Sequence, residues 1–292
     1  MTDLHFPEAA ALAVVRTALD EDLGGPDGVD VTTSATIPAD QVSRAHVVAR
    51  ADGVLGGIPV VPLVFDEVAR RLGAEPVRAT LERADGDRLV RGDVVATLEG
   101  PTQVVLVGER TMLNILCRLS GTATHTRRWA ERLEGTGATV LDTRKTTPGL
   151  RALEKYAVRA GGGTNKRMGL YDVAMIKDNH KLAAGSLAAA YAAVRARYPD
   201  VPVQVEVTTT EEALESVGVG ARFLLCDNMS VDLLRTTVEA VRATGEPVEL
   251  EATGGLTLDV ARDYALTGVD YLSVGGLTHS SPILDLALDL VG

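Results

Sequence analysis

The sequence predicts two architectures in one chain: a mixed α+β region up to about residue 110, then a parallel α/β region. Two observations carry this. From about residue 109 six strand-like runs recur: ATVLD (138–142), VAMIK (173–177), VPVQVEV (201–207), ARFLLCD (221–227), PVELEA (247–252) and VDYLSVGG (269–276). Helical stretches such as SLAAAYAAVRARY (186–198) and VDLLRTTVEAVRAT (231–244) stand between several of them. Strand, helix, strand at this spacing makes parallel βαβ units, in an open doubly wound sheet or a barrel. Before residue 109 the short strand-like runs are joined instead by Gly-Asp turns, as in VRATLERADGDRLVRGDVVATLEGP (77–101).

The other elements follow in order. PEAAALAVVRTALDEDL (7–23) has apolar residues at helical spacing and stops at Gly24-Gly25. DGVDVTTSATIPAD (27–40), with turn residues at both ends, reads as a loop. VSRAHVVARADGVLGG (42–57) reads as strand and turn, and IPVVPLVFDEVARRLG (58–73) as a helix after its prolines. ERTMLNILCRLSGTATHTRRWAERL (109–133) is helical.

At 292 residues, with 46% hydrophobic and 24% charged residues, the composition is that of a soluble globular protein. The formal charge of −11 argues against a nucleic-acid or membrane-surface partner. Cys117 and Cys226 share no metal-ligand spacing and suggest no disulfide framework. MTDLHFPEAA lacks a basic region followed by an apolar run, and no apolar stretch approaches the roughly 20 residues that span a bilayer. A cytoplasmic location is the expectation.

Lysine usage is more telling. All five lysines, Lys145, Lys155, Lys166, Lys177 and Lys181, fall between residues 145 and 181, while arginines are spread over the whole length. Residues 142–181 carry a net +5 in a chain whose remainder carries −16. Lysine is a compact point charge and arginine a planar fork, so the choice has physical content. A basic island in an acidic chain suggests a site for a small, highly charged anion. RALEKYAVRA (151–160) is expected to place Arg151, Lys155 and Arg159 on a basic helix surface, outside that site.

The strand ends hold the remaining polar residues. ATVLD leads into Asp142, Arg144 and Lys145, VAMIK ends at Lys177, VPVQVEV carries Glu206 and ARFLLCD ends at Asp227. PVELEA leads through Glu251 into Thr253-Gly254-Gly255, and the last strand runs into Gly275-Gly276. In either parallel architecture the C-terminal strand ends share one face, which holds the active site. Cations there can hold an anionic substrate; carboxylates can position Mg²⁺ or stabilise developing positive charge; glycine pairs permit close approach to phosphate. Taken singly, Asp227 reads first as a helix cap or loop hydrogen-bonder and Cys226 most simply as a small buried hydrophobe, while His180 and His279 read equally as local hydrogen-bonders or catalysts. Three functions remain open at this point: a Schiff-base lyase using Lys145 or Lys177, transfer from a phosphorylated donor with Glu206 and Asp227 near a metal, or a non-catalytic sensor of an anionic metabolite.

LDTRKTTPGLRALEKYAVRAGGG (141–163) followed by NKRMGLYDVAMIKDNH (165–180) resembles the quinolinate phosphoribosyltransferase family, also called nicotinate-nucleotide pyrophosphorylase (carboxylating). ALDEDLGG, VTTSATIPAD, GERTMLNILCRLSGTAT (108–124) and EATGGLTLDVARDYALTGVDYLSVGGLTHS (251–280) extend the likeness over nearly the whole chain. The resemblance implies an α+β sandwich-like domain (1–110), an incomplete α/β barrel (111–280) and a C-terminal segment (281–292) packing back on the first domain. It implies phosphoribosyl transfer from phosphoribosyl pyrophosphate to quinolinate with loss of CO₂, giving nicotinate mononucleotide for NAD synthesis. Mg²⁺ and no organic cofactor are implied, as is a homodimer or higher assembly. By motif, Arg144, Lys166, Arg167 and Lys177 would bind the pyridine acid, with Arg110 supplied by a partner subunit. Lys145, Glu206 and Asp227 would be catalytic, Glu206 and Asp227 also serving the metal. Lys145, Thr253, Gly254, Gly255, Gly275 and Gly276 would take the phosphates.

One residue departs from the family pattern. Lys166 stands where the family usually has histidine. Either lysine preserves the reaction with quinolinate, or the pocket accepts a different pyridine carboxylate or related acid, since imidazole can accept a hydrogen bond and ammonium only donates.

Overall fold

The computed structural model describes residues 4–291, which group into two units, each with its own sheet. The first takes residues up to Arg127, Thr146–Gly162 and those from Leu277 on; the second takes Arg128–Lys145 and Gly163–Gly276. The first three residues of the MTDLHFPEAA stretch lie outside the described residues.

Helix α1 (Glu8–Leu23) ends where Gly24 turns left-handed at φ 82°. The stretch expected as a loop holds a short helix, α2 (Val31–Thr36). Asp30 starts it by accepting the N–H groups of Thr32 (2.9 Å) and Thr33 (3.0 Å), a local cap that outweighs the weak helix propensity of the threonines. Then come β1 (Val42–Ala49), β2 (Gly53–Val54), α3 (Val60–Leu72), β3 (Arg78–Leu81), β4 (Arg88–Leu89) and β5 (Val94–Pro101). Helix α4 (Thr102–Leu133) begins seven residues before the predicted helix, and its residues through Arg127 belong to the first unit.

Further on lie β6 (Thr139–Leu141), α5 (Arg151–Ala160), β7 (Ala174–Ile176), α6 (Asp178–Ala184), α7 (Leu187–Arg197), β8 (Val203–Val207) and α8 (Thr210–Gly218). They are followed by β9 (Phe223–Asp227), α9 (Val231–Ala243), β10 (Glu249–Thr253), α10 (Ala261–Ala265), β11 (Tyr271–Ser273), α11 (Gly276–His279) and β12 (Leu286–Val291). All six predicted strands of the α/β region are present, as β6 to β11.

The first unit's sheet runs β12-β1-β5-β3, antiparallel throughout, with β2 and β4 as a separate ribbon. Val15 and Leu19 of α1, Phe65 and Val68 of α3, Leu98 of β5 and Met112 of α4 meet in its core. The C-terminal segment passes so close to α4 that a Cβ on Gly121 would lie 2.1 Å from the Pro282 carbonyl oxygen, before β12 pairs with β1. Helix α5 groups with this unit rather than with the strands that flank it in sequence. Lys155, expected on an exposed basic surface, is 1% exposed, because six consecutive residues of the helix, Leu153 to Val158, are buried. Glu154, fully buried, accepts from Arg118 Nη2 (2.8 Å), the Thr147 N–H (3.0 Å) and the Thr147 hydroxyl (2.7 Å). Among the described residues no helix is long and apolar enough to cross a membrane.

The second unit's sheet runs β6-β11-β10-β9-β8-β7, parallel throughout. β6 and β7 stand at its two ends unpaired with each other, so the barrel is incomplete.

Candidate active site

Successive residues of a strand point to opposite faces, and cross-strand register tells which faces match. Val205 pairs with Ile176 and Leu224, and Leu224 with Leu250; all four are buried, forming the apolar face against the helices. The alternate positions put Gln204, Glu206, Asp227, Glu251, Thr253 and Ser273 on the other face. Within it, Glu206, Asp227 and Thr253 lie at C-terminal strand ends, where a parallel α/β sheet builds its site.

The segment after β6 closes one side of this mouth. Thr164 bridges Leu141 in parallel fashion, with its N–H on the Val140 carbonyl at 2.9 Å. Asp142, fully buried, accepts Asn165 Nδ2 at 2.6 Å and the Lys166 N–H at 2.8 Å. Those two bonds fix the backbone that carries Lys166 and Arg167. The approach requires glycine: a Cβ on Gly161 would lie 2.4 Å from the Ala123 carbonyl oxygen, and Gly162 adopts φ 93°.

From there Lys166 reaches Glu251, with Nζ 2.6 Å from Oε1; the two side chains are 7% and 0% exposed. Burial lowers the pKa of the Lys166 ammonium, with Glu251 opposing and Lys177 and Arg167 adding to the fall. Burial likewise raises that of the Glu251 carboxyl, with Lys166 opposing. Ser273 Oγ lies beside this carboxylate, yet neither it nor Glu251 Oε2 makes a hydrogen bond of ordinary geometry. Cys226, beside Glu251, is inert as a nucleophile: burial, reinforced by that carboxylate, pushes its thiol up to about 12.

Lys177, at the end of β7, donates to Glu206 Oε2 at 2.5 Å, and its N–H is accepted by His180 Nδ1 at 3.1 Å. His180 is thus a local hydrogen-bonder. Lys181 Nζ, on α6, contacts the Glu206 carbonyl (3.1 Å), Glu212 (3.0 Å) and Asp178 (2.7 Å), so it anchors α6 against the end of β8. Arg167 donates to the Val173 carbonyl at 3.0 Å; burial and, secondarily, Arg144 lower its pKa. The Nε of Arg144 is buried without a hydrogen bond. Lys145 is exposed, its N–H bonded to the Thr143 hydroxyl at 3.0 Å.

The turns that follow β9 and β10 are also tightly built. Asn228 adopts φ 53°, donates its N–H to the Thr253 carbonyl at 2.9 Å and its Nδ2 to Asp227 at 2.8 Å. A Cβ on Gly254, itself at φ 98°, would lie 2.4 Å from Asn228 Oδ1. Gly275 and Gly276 lead from β11 into α11, and the Val274 N–H on the Leu141 carbonyl (3.0 Å) ties this exit to β6. Arg110 belongs to the first unit, exposed on α4 beside a cavity of about 320 Å³ that Asp22, Asp30 and Val107 also line.

Residues 30–120 match the N-terminal domain, and 122–289 the C-terminal domain, of the quinolinate phosphoribosyl transferase family. The chain belongs to that family. The nicotinate-nucleotide pyrophosphorylase [carboxylating] of Mycobacterium leprae is 46% identical over 99% of this chain and 100% of its own length. The probable enzyme of the same name from Bacillus subtilis is 42% identical over 92% of this chain and 90% of its own. The solved nicotinate-nucleotide pyrophosphorylase of Francisella tularensis superposes with a TM-score of 0.88 at 32% identity, covering 98% of each chain.

Among the candidate site residues, the sequence pointed to Lys166, Lys177 and Glu206 without their partners, and to no individual role for Glu251, Asn165 or Lys181. Strand parity was the available signal for Glu251: in ELEAT the residues flanking Leu250 alternate to the face that carries Thr253.

Proposed function

We propose that this member of the family transfers phosphoribosyl from phosphoribosyl pyrophosphate to quinolinate, releasing pyrophosphate and CO₂ and leaving nicotinate mononucleotide for NAD synthesis. The observation that carries this reading is the grouping, in one unit, of Arg144, Arg167 and Lys177 with Glu206 and Asp227 around C-terminal strand ends. The acceptor is an acid and the donor a polyanion, so cations must hold both. Breaking the bond from C1 to pyrophosphate builds positive charge on the ribose, which Glu206 and Asp227 would stabilise. The ring nitrogen then takes the C1 position. Loss of the neighbouring carboxylate as CO₂ leaves an electron pair on the carbon beside the now cationic nitrogen, and that carbon accepts a proton.

Glu206 and Asp227 lie on neighbouring strands and suit Mg²⁺, which commonly takes one or two carboxylates and completes its shell with phosphate and water. That donor set would hold the ion, which when bound would neutralise charge on the leaving pyrophosphate. Lys177, now paired with Glu206, would transfer to an acceptor carboxylate as that acid binds. Arg110 of a second copy would complete the acid pocket in a homodimer. Lys145, Thr253 to Gly255 and Gly275-Gly276 would contact the donor phosphates.

The test offers quinolinate with phosphoribosyl pyrophosphate, with and without Mg²⁺, and measures pyrophosphate and CO₂. The expected result is Mg²⁺-dependent release of both in equal amounts, with kcat/KM lowered on the order of 10²–10³-fold in Arg167→Ala. Wild-type protein releasing neither product would refute the activity.

A further inference from the structure

Lys166 and Glu251 are 85 positions apart in sequence, and the fold joins them below the mouth formed by the strand ends. The lysine backbone is held by Asp142, and the ammonium is turned onto a fully buried carboxylate. Lys177 of β7 and Arg167 face the lysine, while Cys226 of β9, Ser273 of β11 and Lys177 face the carboxylate. Glu251 Oε2 is buried without a hydrogen bond of ordinary geometry, so the Lys166 ammonium on Oε1 is the carboxylate's principal partner.

We infer that Glu251 is a specificity-determining residue of the acceptor site, cancelling the charge of Lys166 so that the pyridine acid meets Arg144, Arg167 and Lys177 as its cations. This rests on the transfer reaction proposed above. An ammonium with a carboxylate at 2.6 Å has little net field at a distance; the same ammonium without it acts as a full charge in a low-dielectric site. An extra full charge would hold the acceptor's carboxylates more tightly. It would also oppose decarboxylation, because the carboxylate that leaves as CO₂ gives up its negative charge. The Lys166–Glu251 pair therefore lets lysine occupy this position without pinning the group that must depart.

The experiment compares wild type, Glu251→Gln, Glu251→Asp and the double variant Lys166→Met/Glu251→Gln. Glu251→Gln should lower both KM for pyridine-2,3-dicarboxylate and kcat, each by about tenfold, the signature of a stabilised ground state. The KM effect should fade as pH rises and the unpaired ammonium loses its proton. The double variant, which removes both charges together, should recover most of the lost kcat, and Glu251→Asp, which keeps the charge at a longer reach, should fall between wild type and Glu251→Gln. Raised KM with unchanged kcat in Glu251→Gln, or a double variant no better than the single one, overturns the inference. Turnover is not the sole readout. With five lysines in the chain, ¹⁵N-lysine NMR can follow each Nζ, and Lys166 should titrate at lower pH in Glu251→Gln than in wild type. Identical titration in the two proteins overturns the pairing, whereas a wild type inactive on quinolinate overturns the transfer reading alone.

Discussion

Glu67 in the first unit and Glu251 in the second are both buried, and they are treated in opposite ways. Glu67 on α3 is 4% exposed, and both of its oxygens accept guanidinium hydrogen bonds. Oε1 takes Arg70 (2.6 Å) and Arg71 (3.2 Å), while Oε2 takes Arg70 (3.1 Å) and Arg16 (3.4 Å). The Arg70 hydrogen bonds, aided by those of Arg71, hold its carboxyl down at about 2 against the cost of burial. Glu251 has an ammonium on one oxygen and, beside the carboxylate, only the Ser273 hydroxyl outside ordinary hydrogen-bond geometry; burial prevails, pushing its carboxyl upward. Depth of burial and donor count together decide the state of a carboxylate. The satisfied glutamate sits in the first unit, the half-satisfied one among the candidate site residues of the second.

The comparison breaks or sharpens most clearly on deletion. Glu251→Ala strands a buried ammonium and should cost about 3–5 kcal/mol in urea unfolding. Glu67→Ala releases Arg16 and Arg70, which are 53% and 64% exposed and rehydrate, while the buried Arg71 keeps Asp20 and the Arg16 carbonyl, so about 1–2 kcal/mol is expected. Equal costs would mean that donor count is irrelevant. Next in size, Gly254→Ala forces a Cβ against Asn228 at positive φ and should cost about 1–3 kcal/mol, lowering the melting temperature and turnover together. Unchanged turnover would show that the Thr253–Gly255 turn tolerates displacement. The smallest effect is in acid. A carboxyl depressed from 4.5 to about 2 contributes its stability in full above pH 4.5 and loses it as pH falls towards 2. Glu67→Gln should therefore flatten the fall of melting temperature across that window. Glu251 works with the opposite sign, since a raised carboxyl is protonated more readily in the folded chain.

The six barrel strands were legible because their apolar runs are bounded by turn residues, and the strand ends were legible because a parallel sheet puts them on one face. Helix α2 was not: its start depends on one aspartate cap, and its threonines read as loop or strand. Lys155 was misplaced because composition shows the charge of a helix and not which faces are covered. The partner of Lys166 was hidden for a different reason. An ion pair between a loop and a strand far apart in sequence appears only once the sheet is assembled around them. Lys166 was expected among the residues that bind the pyridine acid; its ammonium lies against a buried carboxylate.

An open barrel has two edge strands, each a row of unpaired backbone groups that can recruit a foreign strand. β7 is three residues long, which by itself limits that hazard. At β6 the hazard is met by the chain itself, because Thr164 occupies the edge with a parallel bridge and two backbone hydrogen bonds. The segment from Gly163 to Lys166 thus guards the sheet against aggregation while it delivers a lysine to the site. Selection on solubility and selection on catalysis act there on the same few residues, and a change made for one is tested at once by the other.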